Sequence, residues 1–314
     1  MKKLIITISI LINCFIVVIA QNSEAEAKGK IPSLNGHTFP NPILFKYSFI
    51  STSFHASFSY AKTNPIIFRG IKIGQAEAFE IEGQIVLLGV NVEYQQKFNN
   101  WLALRMSFML TGRLGTEVNS ILADGVNTFT GGEIGWLIRI MQNKKLNLSA
   151  SVNVQNLTGN FINVSRYIQD IIDQNPNPAV IHKVPSLNVS AGVLGAYAFS
   201  PTFGIQFQGE YAYGESFTRE SGRGYYLAGI LGDVDFMPRY EFPVGLSLGY
   251  TFSSAPNIVM SEGGMAHLYS SRIRYTGAKD FDLGLQYSFY TLEFNNIEDK
   301  PMLNSATLLL KFYF

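Results

Sequence analysis

The chain has 314 residues, of which 47% are hydrophobic, 13% aromatic and only 15% charged. Ordinary soluble domains carry about 25% charged residues, so the low value indicates a surface that faces something other than water. The net charge of +1 excludes an electrostatic basis for binding nucleic acid.

The first predicted element is a secretory signal peptide at residues 1–20. Two lysines open it, and an apolar stretch runs from Leu4 to Ile19. Val18 and Ala20 supply small residues for cleavage after Ala20. An uncleaved membrane anchor is the alternative. The signal also contains the chain's single cysteine, so the mature protein would have no disulfide framework and no thiolate metal site.

Residues 21–46 follow the signal and contain many turn formers, as in KGKIPSLNGHTFPNP. They show no strand-like alternation. We expect a periplasmic N-terminal arm here, either mobile or tucked into the interior of the domain formed by residues 47–314.

From about residue 43 onward, the dominant hydrophobic period is two. Residues 101–113 show it most clearly, because one face carries Leu102, Leu104, Met106, Phe108 and Leu110. The opposite face is small, polar or mixed, with Ala103, Arg105, Ser107, Met109 and Thr111. Such a strand suits a sheet with one face toward lipid and the other toward a polar interior.

About twelve such strands are predicted, near residues 47–60, 78–95, 100–113, 128–140, 145–157, 185–199, 202–216, 224–236, 240–253, 265–276, 281–293 and 303–314. Every second connection is a tight turn, and the others are longer. A soluble β-sandwich also alternates along its strands, but it has no reason to keep this rhythm of connections. We therefore predict an all-β fold, a transmembrane antiparallel up-and-down β-barrel with periplasmic turns and extracellular loops.

The longest predicted loop, residues 158–184, contains a possible short helix at SRYIQDII. Tyr167, Ile168, Ile171 and Ile172 can share one of its faces. The helix would either fold inward as a constriction or rest on the rim.

The last strand alternates apolar residues up to the final position, ending in Phe312 and Phe314. It resembles the C-terminal signal of the bacterial outer-membrane β-barrel (porin-like) class. This resemblance implies a barrel in the outer membrane of a Gram-negative bacterium, in contact with lipid and recognised through Phe312 and Phe314 by the barrel-insertion machinery. It indicates no narrower family.

Charged side chains on the predicted inner face are the candidate functional residues. They either pair across strands as a brace or form a polar path that selects solutes. The main candidates are Arg105, Glu133, Arg139, Glu210, Asp235, Glu241, Arg272, Arg274 and Asp282, accompanied by Glu93, Arg113, Asp233 and Lys311.

Four of these charges are predicted to form one row at the periplasmic end. A turn at 277–279 would set Arg274 opposite Asp282, and a turn at 237–239 would set Asp235 opposite Glu241. The row would set ion preference in a channel or serve as a structural brace.

Catalytic signals are weak. The sequence GLSLG around Ser247 matches a nucleophile elbow but lies within an alternating strand, where the required strand-to-helix turn is missing. The four histidines have no zinc-type spacing; His267 is the one placed near the outer rim, where barrel lipases use serine and histidine. We expect no cofactor, no metal and no enzymatic activity.

The leading hypothesis is a small passive outer-membrane channel for hydrophilic solutes, because the predicted inner face is polar and rich in Gly and Ser. A structural or docking barrel with a blocked lumen is the first alternative. A barrel enzyme acting on lipid and a carrier for apolar molecules are the others.

Overall fold

The computed structural model describes residues 31–41, 43, 46–68, 72–73, 76–77, 81–114, 125–162, 164–216, 219–254, 264–294 and 302–314. The predicted signal peptide and its cleavage site lie outside these residues. Within the described part, twelve antiparallel strands close into one barrel. They are β1 Ser53–Thr63, β2 Val86–Lys97, β3 Leu102–Leu114, β4 Gly125–Gln142, β5 Leu146–Ile162, β6 Ile181–Ala198, β7 Phe203–Ser216, β8 Arg219–Asp235, β9 Val244–Ser253, β10 Gly264–Tyr275, β11 Phe281–Phe294 and β12 Met302–Tyr313.

Each strand pairs with its neighbours in sequence, and β12 closes the barrel by pairing antiparallel with β1. The predicted up-and-down barrel is therefore confirmed, with the predicted number of strands. The chain has the architecture of the outer-membrane β-barrel class that its last strand resembles.

The two faces of the strands divide as the period of two predicts. On β3, Phe108 points outward and is half exposed, whereas Ala103 and Arg105 point inward and are buried. On β9, Leu248 is the most exposed large apolar side chain, at 71%, next to the buried Ser247. An apolar exterior around a polar interior is the arrangement that lipid requires. None of the helices in the described residues is long and apolar enough to cross a membrane.

The connections are short at one end of the barrel, at residues 98–101, 143–145, 199–202, 236–243 and 276–280. By the usual rule this end is periplasmic, and both the arm and the C-terminus lie there. At the other end, small antiparallel pairs extend the β1–β2 connection at Ile66–Phe68 with Ile81–Gly83 and at Lys72–Ile73 with Ala76–Glu77. The expected loop at 217–223 is wrong in part, because β8 already begins at Arg219 and pairs with Ser216.

The predicted loop helix is present as α1, Val164–Ile172. It lies at the tip of the β5–β6 hairpin, whose strands of 17 and 18 residues are longer than the 10 residues of β9. Ile171 and Ile172 are exposed there. A second short helix, α2 Met237–Tyr240, fills the periplasmic turn between β8 and β9.

The described residues of segment 31–52, namely 31–41, 43 and 46–52, are called the lumenal arm below and lie in the periplasmic half of the barrel interior. Ile31 enters beside the β10–β11 turn, where its N–H donates to the carbonyl of Lys279 at 2.6 Å. The first barrel strand was predicted to begin at residue 47 but begins at Ser53. Residues 46–52 bond to the side chains of the lumen wall and take no part in the strand ladder.

A tight hairpin shapes the beginning of the lumenal arm. Ser33–Leu34 pairs with His37–Thr38, and the intervening Asn35 and Gly36 have φ values of 50° and 82°. These are the positive values of a two-residue hairpin turn, for which Asn-Gly is the strongest sequence signal. The hairpin delivers His37 to the wall of the barrel.

The closed barrel leads to a prediction on unfolding in detergent. We expect an unheated sample to migrate differently from a boiled sample in a denaturing gel, because all twelve strands of the described barrel are hydrogen-bonded on both edges. Circular dichroism should show strand as the main structure. Identical migration together with a helical spectrum would contradict the fold.

The C-terminal residue leads to a prediction on assembly. Phe314 points outward, is 65% exposed, and its N–H donates to the carbonyl of Thr52. The neighbouring outward ring, Phe312, packs against Phe281 with centroids 4.9 Å apart. We expect Phe314→Asp to lower the amount of barrel in the outer membrane severalfold, with more protein in the periplasm, measured by fractionation. Normal insertion of the variant would show that this residue is not an assembly signal.

Candidate functional site: the lumenal arm and the lumen wall

An apolar cluster anchors the lumenal arm inside the barrel. Phe39, Tyr47 and Phe49 are at most 2% exposed, and their rings contact each other with centroids 5.1–5.3 Å apart. The wall beside them carries small side chains at Ala196 and Ala198 and, on the next strand, at Gly204. Burial of each aromatic side chain contributes about 1.5–3 kcal/mol to folding. The arm therefore belongs to the core of the folded protein.

The phenol of Tyr47 is part of this core. It donates a hydrogen bond to the carbonyl of Phe39 at 3.2 Å, and the ammonium of Lys311 lies 4.2 Å from the centre of its ring. Burial raises the pKa of Tyr47 well above its usual range. The hydroxyl consequently stays protonated and keeps its role as a donor.

The wall recognises the main chain of the lumenal arm. Side chains from four strands donate to its carbonyl groups at 2.6–3.0 Å. These donors are Gln95, Asn147, Ser149, Gln206, Arg272 and Arg274. Extended backbone without ladder partners would be costly to bury, and these polar wall residues satisfy it.

The first group of charges, the lower cluster, consists of His37, Thr38, Asp233, Asp235 and Arg274. The guanidinium of Arg274 lies 3.0 Å from Asp233 and 3.8 Å from Asp235, and it donates to the carbonyl of Thr38 at 2.6 Å. His37 reaches Asp233 with Nε2 at 2.9 Å, and the Thr38 hydroxyl donates to Asp235. Asp233 and Arg274 are almost fully buried, at 0% and 1%, so each depends on the others to offset the loss of hydration.

A second group, the Asn41 clasp, holds the middle of the lumenal arm. Arg272 donates to the Asn41 carbonyl at 2.6 Å and to Asp282 at 2.7 Å. Asp282 accepts the Asn41 N–H at 3.2 Å, and Lys311 donates to the Asn41 side-chain oxygen at 2.8 Å. The clasp therefore satisfies both main-chain groups of Asn41 and its side-chain oxygen.

The third group, the upper cluster, lies higher in the barrel and consists of Glu93, Arg105, Glu133, Glu210 and Lys46. Lys46 comes from the lumenal arm and lies 2.9 Å from Glu210 and 3.5 Å from Glu133. Arg105 donates to Glu133 and lies 3.9 Å from Glu93. The charges thus alternate in sign across the lumen. Lys46, Glu133 and Glu210 keep 12–13% of their surface exposed, in contrast to the buried lower cluster.

The predicted row at the periplasmic mouth is wrong in its register. Glu241 is exposed and lies in the turn that caps α2, outside the lumen. The turn spans residues 236–243, longer than expected, so Asp235 lies opposite Gly245. The β10–β11 turn is longer too, so Arg274 lies opposite Gly284, and Asp282 lies opposite Lys311.

Apart from Glu241, the main charges predicted for the lumen divide into two groups. Arg105, Glu133, Glu210, Asp235, Arg272, Arg274 and Asp282 all lie in the three clusters. Arg139 is partly buried on β4 near the periplasmic end and takes no part in an ion pair among the described residues. The sequence did not single out His37 and Lys46, because the candidate charges were taken from the predicted strands alone and both residues lie in the arm that precedes them.

The geometry around Ser247 and His267 does not resemble an activated nucleophile. The hydroxyl of Ser247 donates to Asp233 at 2.6 Å, where a catalytic serine would face a histidine. His267 faces outward beside the Tyr250 hydroxyl at 2.8 Å, in an aromatic group typical of the membrane interface. Among the described residues, no group of three His, Cys, Asp or Glu side chains could hold a metal ion.

No protein-family model and no curated protein matches the chain. Solved structures resemble it in fold. The translocator domain of autotransporter NalP from Neisseria meningitidis is 9% identical, with a TM-score of 0.49 over 84% of this chain and 88% of that chain. LpxR from Salmonella typhimurium is 10% identical, with a TM-score of 0.48 over 83% and 100% of the two chains. A FadL homologue of Pseudomonas aeruginosa is 9% identical, with a TM-score of 0.44 over 91% and 99%. Likeness at this level concerns the barrel architecture alone.

Proposed function

We propose that the protein is an outer-membrane channel for hydrophilic solutes that is closed on the periplasmic side by its own lumenal arm. The observation that carries this proposal is the arm itself, which lies inside the barrel and is held there by ion pairs and hydrogen bonds to the wall. The passive open channel expected from the sequence would thus become a gated one.

The chemistry of the wall supports passage of a polar solute. Buried inward positions of the wall include Ser57, Ser151, Ser190, Ser270 and Ser288. Water can replace the hydrogen bonds between the arm and polar wall side chains such as Gln95 and Ser149, and the charged clusters retain partners within the wall, such as Arg272 with Asp282. A wall with these properties remains hydrated when the arm moves.

A docking barrel with a permanently blocked lumen is the second candidate. The feature that favours it is the long β5–β6 hairpin, which carries α1 with the exposed Ile171 and Ile172. Exposed apolar side chains on a projecting element fit contact with another macromolecule. In this case the aromatic core of the arm would be a structural filling.

A lipid-acting enzyme is the third candidate, and the described residues give it little support. Ser247 is paired with a carboxylate inside the lumen, and His267 faces the exterior. The two side chains lie on opposite faces of the barrel wall and cannot act on one substrate.

Single-channel conductance in planar bilayers tests the proposal. Cysteines at positions 46 and 210 replace the contact between the arm and β7, and a flexible bis-maleimide linker then ties the arm to the wall. We expect ion current from the untied protein and none after crosslinking, with current restored when a cleavable linker is cut. Electrical silence in every state, from a barrel that still shows heat-modifiable migration, would favour the docking barrel.

A further inference from the structure

The ammonium group of Lys46 occupies a site that the barrel wall builds from three strands. Its Nζ lies 2.9 Å from Glu210 on β7, 3.4 Å from Ser190 on β6 and 3.5 Å from Glu133 on β4. A primary ammonium has three N–H donors, and three acceptors surround this one. Glu133, Ser190 and Glu210 are called the tripod below.

The wall orients the two carboxylates of the tripod through hydrogen bonds that do not involve the Lys46 ammonium group, although Gln208 also accepts the Lys46 main-chain N–H at 2.7 Å. Arg105 donates to Oε1 of Glu133, which leaves Oε2 toward Lys46. Gln208 donates to Oε2 of Glu210 at 2.9 Å, which leaves Oε1 toward Lys46. Because each carboxylate is fixed through its other oxygen, the tripod is preorganised.

The charges of the wall favour a cation at this position. Glu93, Glu133 and Glu210 carry three negative charges. Arg105 and Lys311, which lies in the same inward row as Glu93, offset two of them, so a wall without Lys46 carries an excess of about one negative charge around the site. Ser151 adds an unused polar group. Its register places it in the same inward row as Glu210, across Gly192, and its buried hydroxyl has no hydrogen-bond partner among the described residues.

The tripod is also the part of the arm contact that water reaches. Lys46 and its two carboxylates keep 12–13% of their side-chain surface exposed, whereas His37 and Asp233 in the lower cluster keep none. A solute can therefore compete for the tripod without first unpacking the aromatic core.

We propose that the tripod is a binding site for the primary ammonium group of a solute, and that Lys46 fills this site in the closed state. The inference rests on the proposed function, since it names the class of solute that the gated channel admits. A solute ammonium displaces Lys46 from the tripod, and the arm loses its upper attachment to the wall. The Asn41 clasp and the lower cluster then remain as the charged attachments that keep the arm in the lumen.

Calorimetric titration of the folded, full-length protein tests the site directly. The probe is 1,4-diaminobutane, and 1,4-butanediol is the uncharged control of the same length. We expect Lys46→Met to bind the diamine at least tenfold more tightly than the unaltered protein, because the tripod is then empty. Lys46→Arg should keep the weak diamine binding of the unaltered protein. None of the three forms should bind the diol.

Two further measurements make the outcome decisive. The double variant Lys46→Met/Glu210→Gln should lose the gain in diamine affinity, and sodium chloride at equal concentration should not displace the diamine. Equal affinity in the unaltered protein and in a heat-modifiable Lys46→Met barrel would overturn the site, as would equal binding of sodium. If the diamine binds as expected but no form conducts, the site stands and the channel function fails. Conductance without diamine binding would give the opposite result.

Discussion

Gly204→Leu is expected to expel the lumenal arm from its place against the wall. A Cβ added at Gly204 would lie 2.6 Å from Cδ2 of His37 and 2.7 Å from Cε1 of Phe39. Both rings are fully buried, so neither can move aside within the core. Overpacking of this kind typically costs about 1–3 kcal/mol, and the arm can relieve it by leaving the wall.

Cysteine labelling measures the displacement. Cys14 is the only cysteine and lies in the predicted signal peptide, so a mature Ser48→Cys protein would carry a single thiol at a position that is 2% exposed. We expect a water-soluble maleimide to label this thiol at least tenfold faster in the Gly204→Leu background. The open time in planar bilayers should increase in parallel.

Gly209 provides a matched control on the same strand. A Cβ added there meets no atom within 4 Å, because the residue faces outward on β7. Gly209→Leu should leave both the labelling rate and the current unchanged. Equal labelling rates for the Gly204 and Gly209 variants would mean that the arm does not rest against Gly204 in the folded protein.

The barrel could be predicted because its strands obey a single rule. One face of each strand contacts lipid and the other lines the lumen, so a period of two is visible on β3 and β9 without knowledge of any partner strand. Strand boundaries could be predicted at the tight turns, such as residues 143–145 and 199–202. They failed around α2, because a short helix with Pro238 lengthens the turn and removes Glu241 from the lumen. They also failed at the β10–β11 turn and at the first two strands, which were predicted from residues 47 and 78 but begin at Ser53 and Val86.

The arm could not be placed by the same rule. Tyr47 and Phe49 keep the period of two and were therefore included in the first predicted strand, whereas Phe39 lies among turn formers. In the structure the three rings fill an irregular space between a hairpin and the barrel wall. Two signals were available. Asn35-Gly36 is a hairpin turn signal, and several aromatic residues in a segment rich in turns require burial somewhere. The pairing of His37 and Lys46 with the wall depends on three-dimensional placement, which no local pattern encodes.

Arg274→Ala is expected to have the largest effect on stability. Arg274 forms ion pairs with Asp233 and Asp235 and donates a hydrogen bond to the Thr38 carbonyl, and its side chain is 1% exposed. Removal of one partner from a buried charge cluster typically costs about 3–5 kcal/mol. The variant should therefore unfold at a clearly lower temperature in detergent, and Ser48→Cys should be labelled faster because the arm has lost its lower attachment.

Arg239→Ala is the matched control, since Arg239 is an exposed arginine of α2 and its removal should change the unfolding temperature little. The reversal potential in a salt gradient then separates the two roles of the lower cluster. In a channel, loss of the Arg274 charge leaves Asp233 and Asp235 in excess and shifts selectivity toward cations. In a brace, the unfolding temperature falls while selectivity stays the same. An Arg274→Ala barrel with unchanged stability and unchanged selectivity would show that the lower cluster neither holds the arm nor faces the solute path.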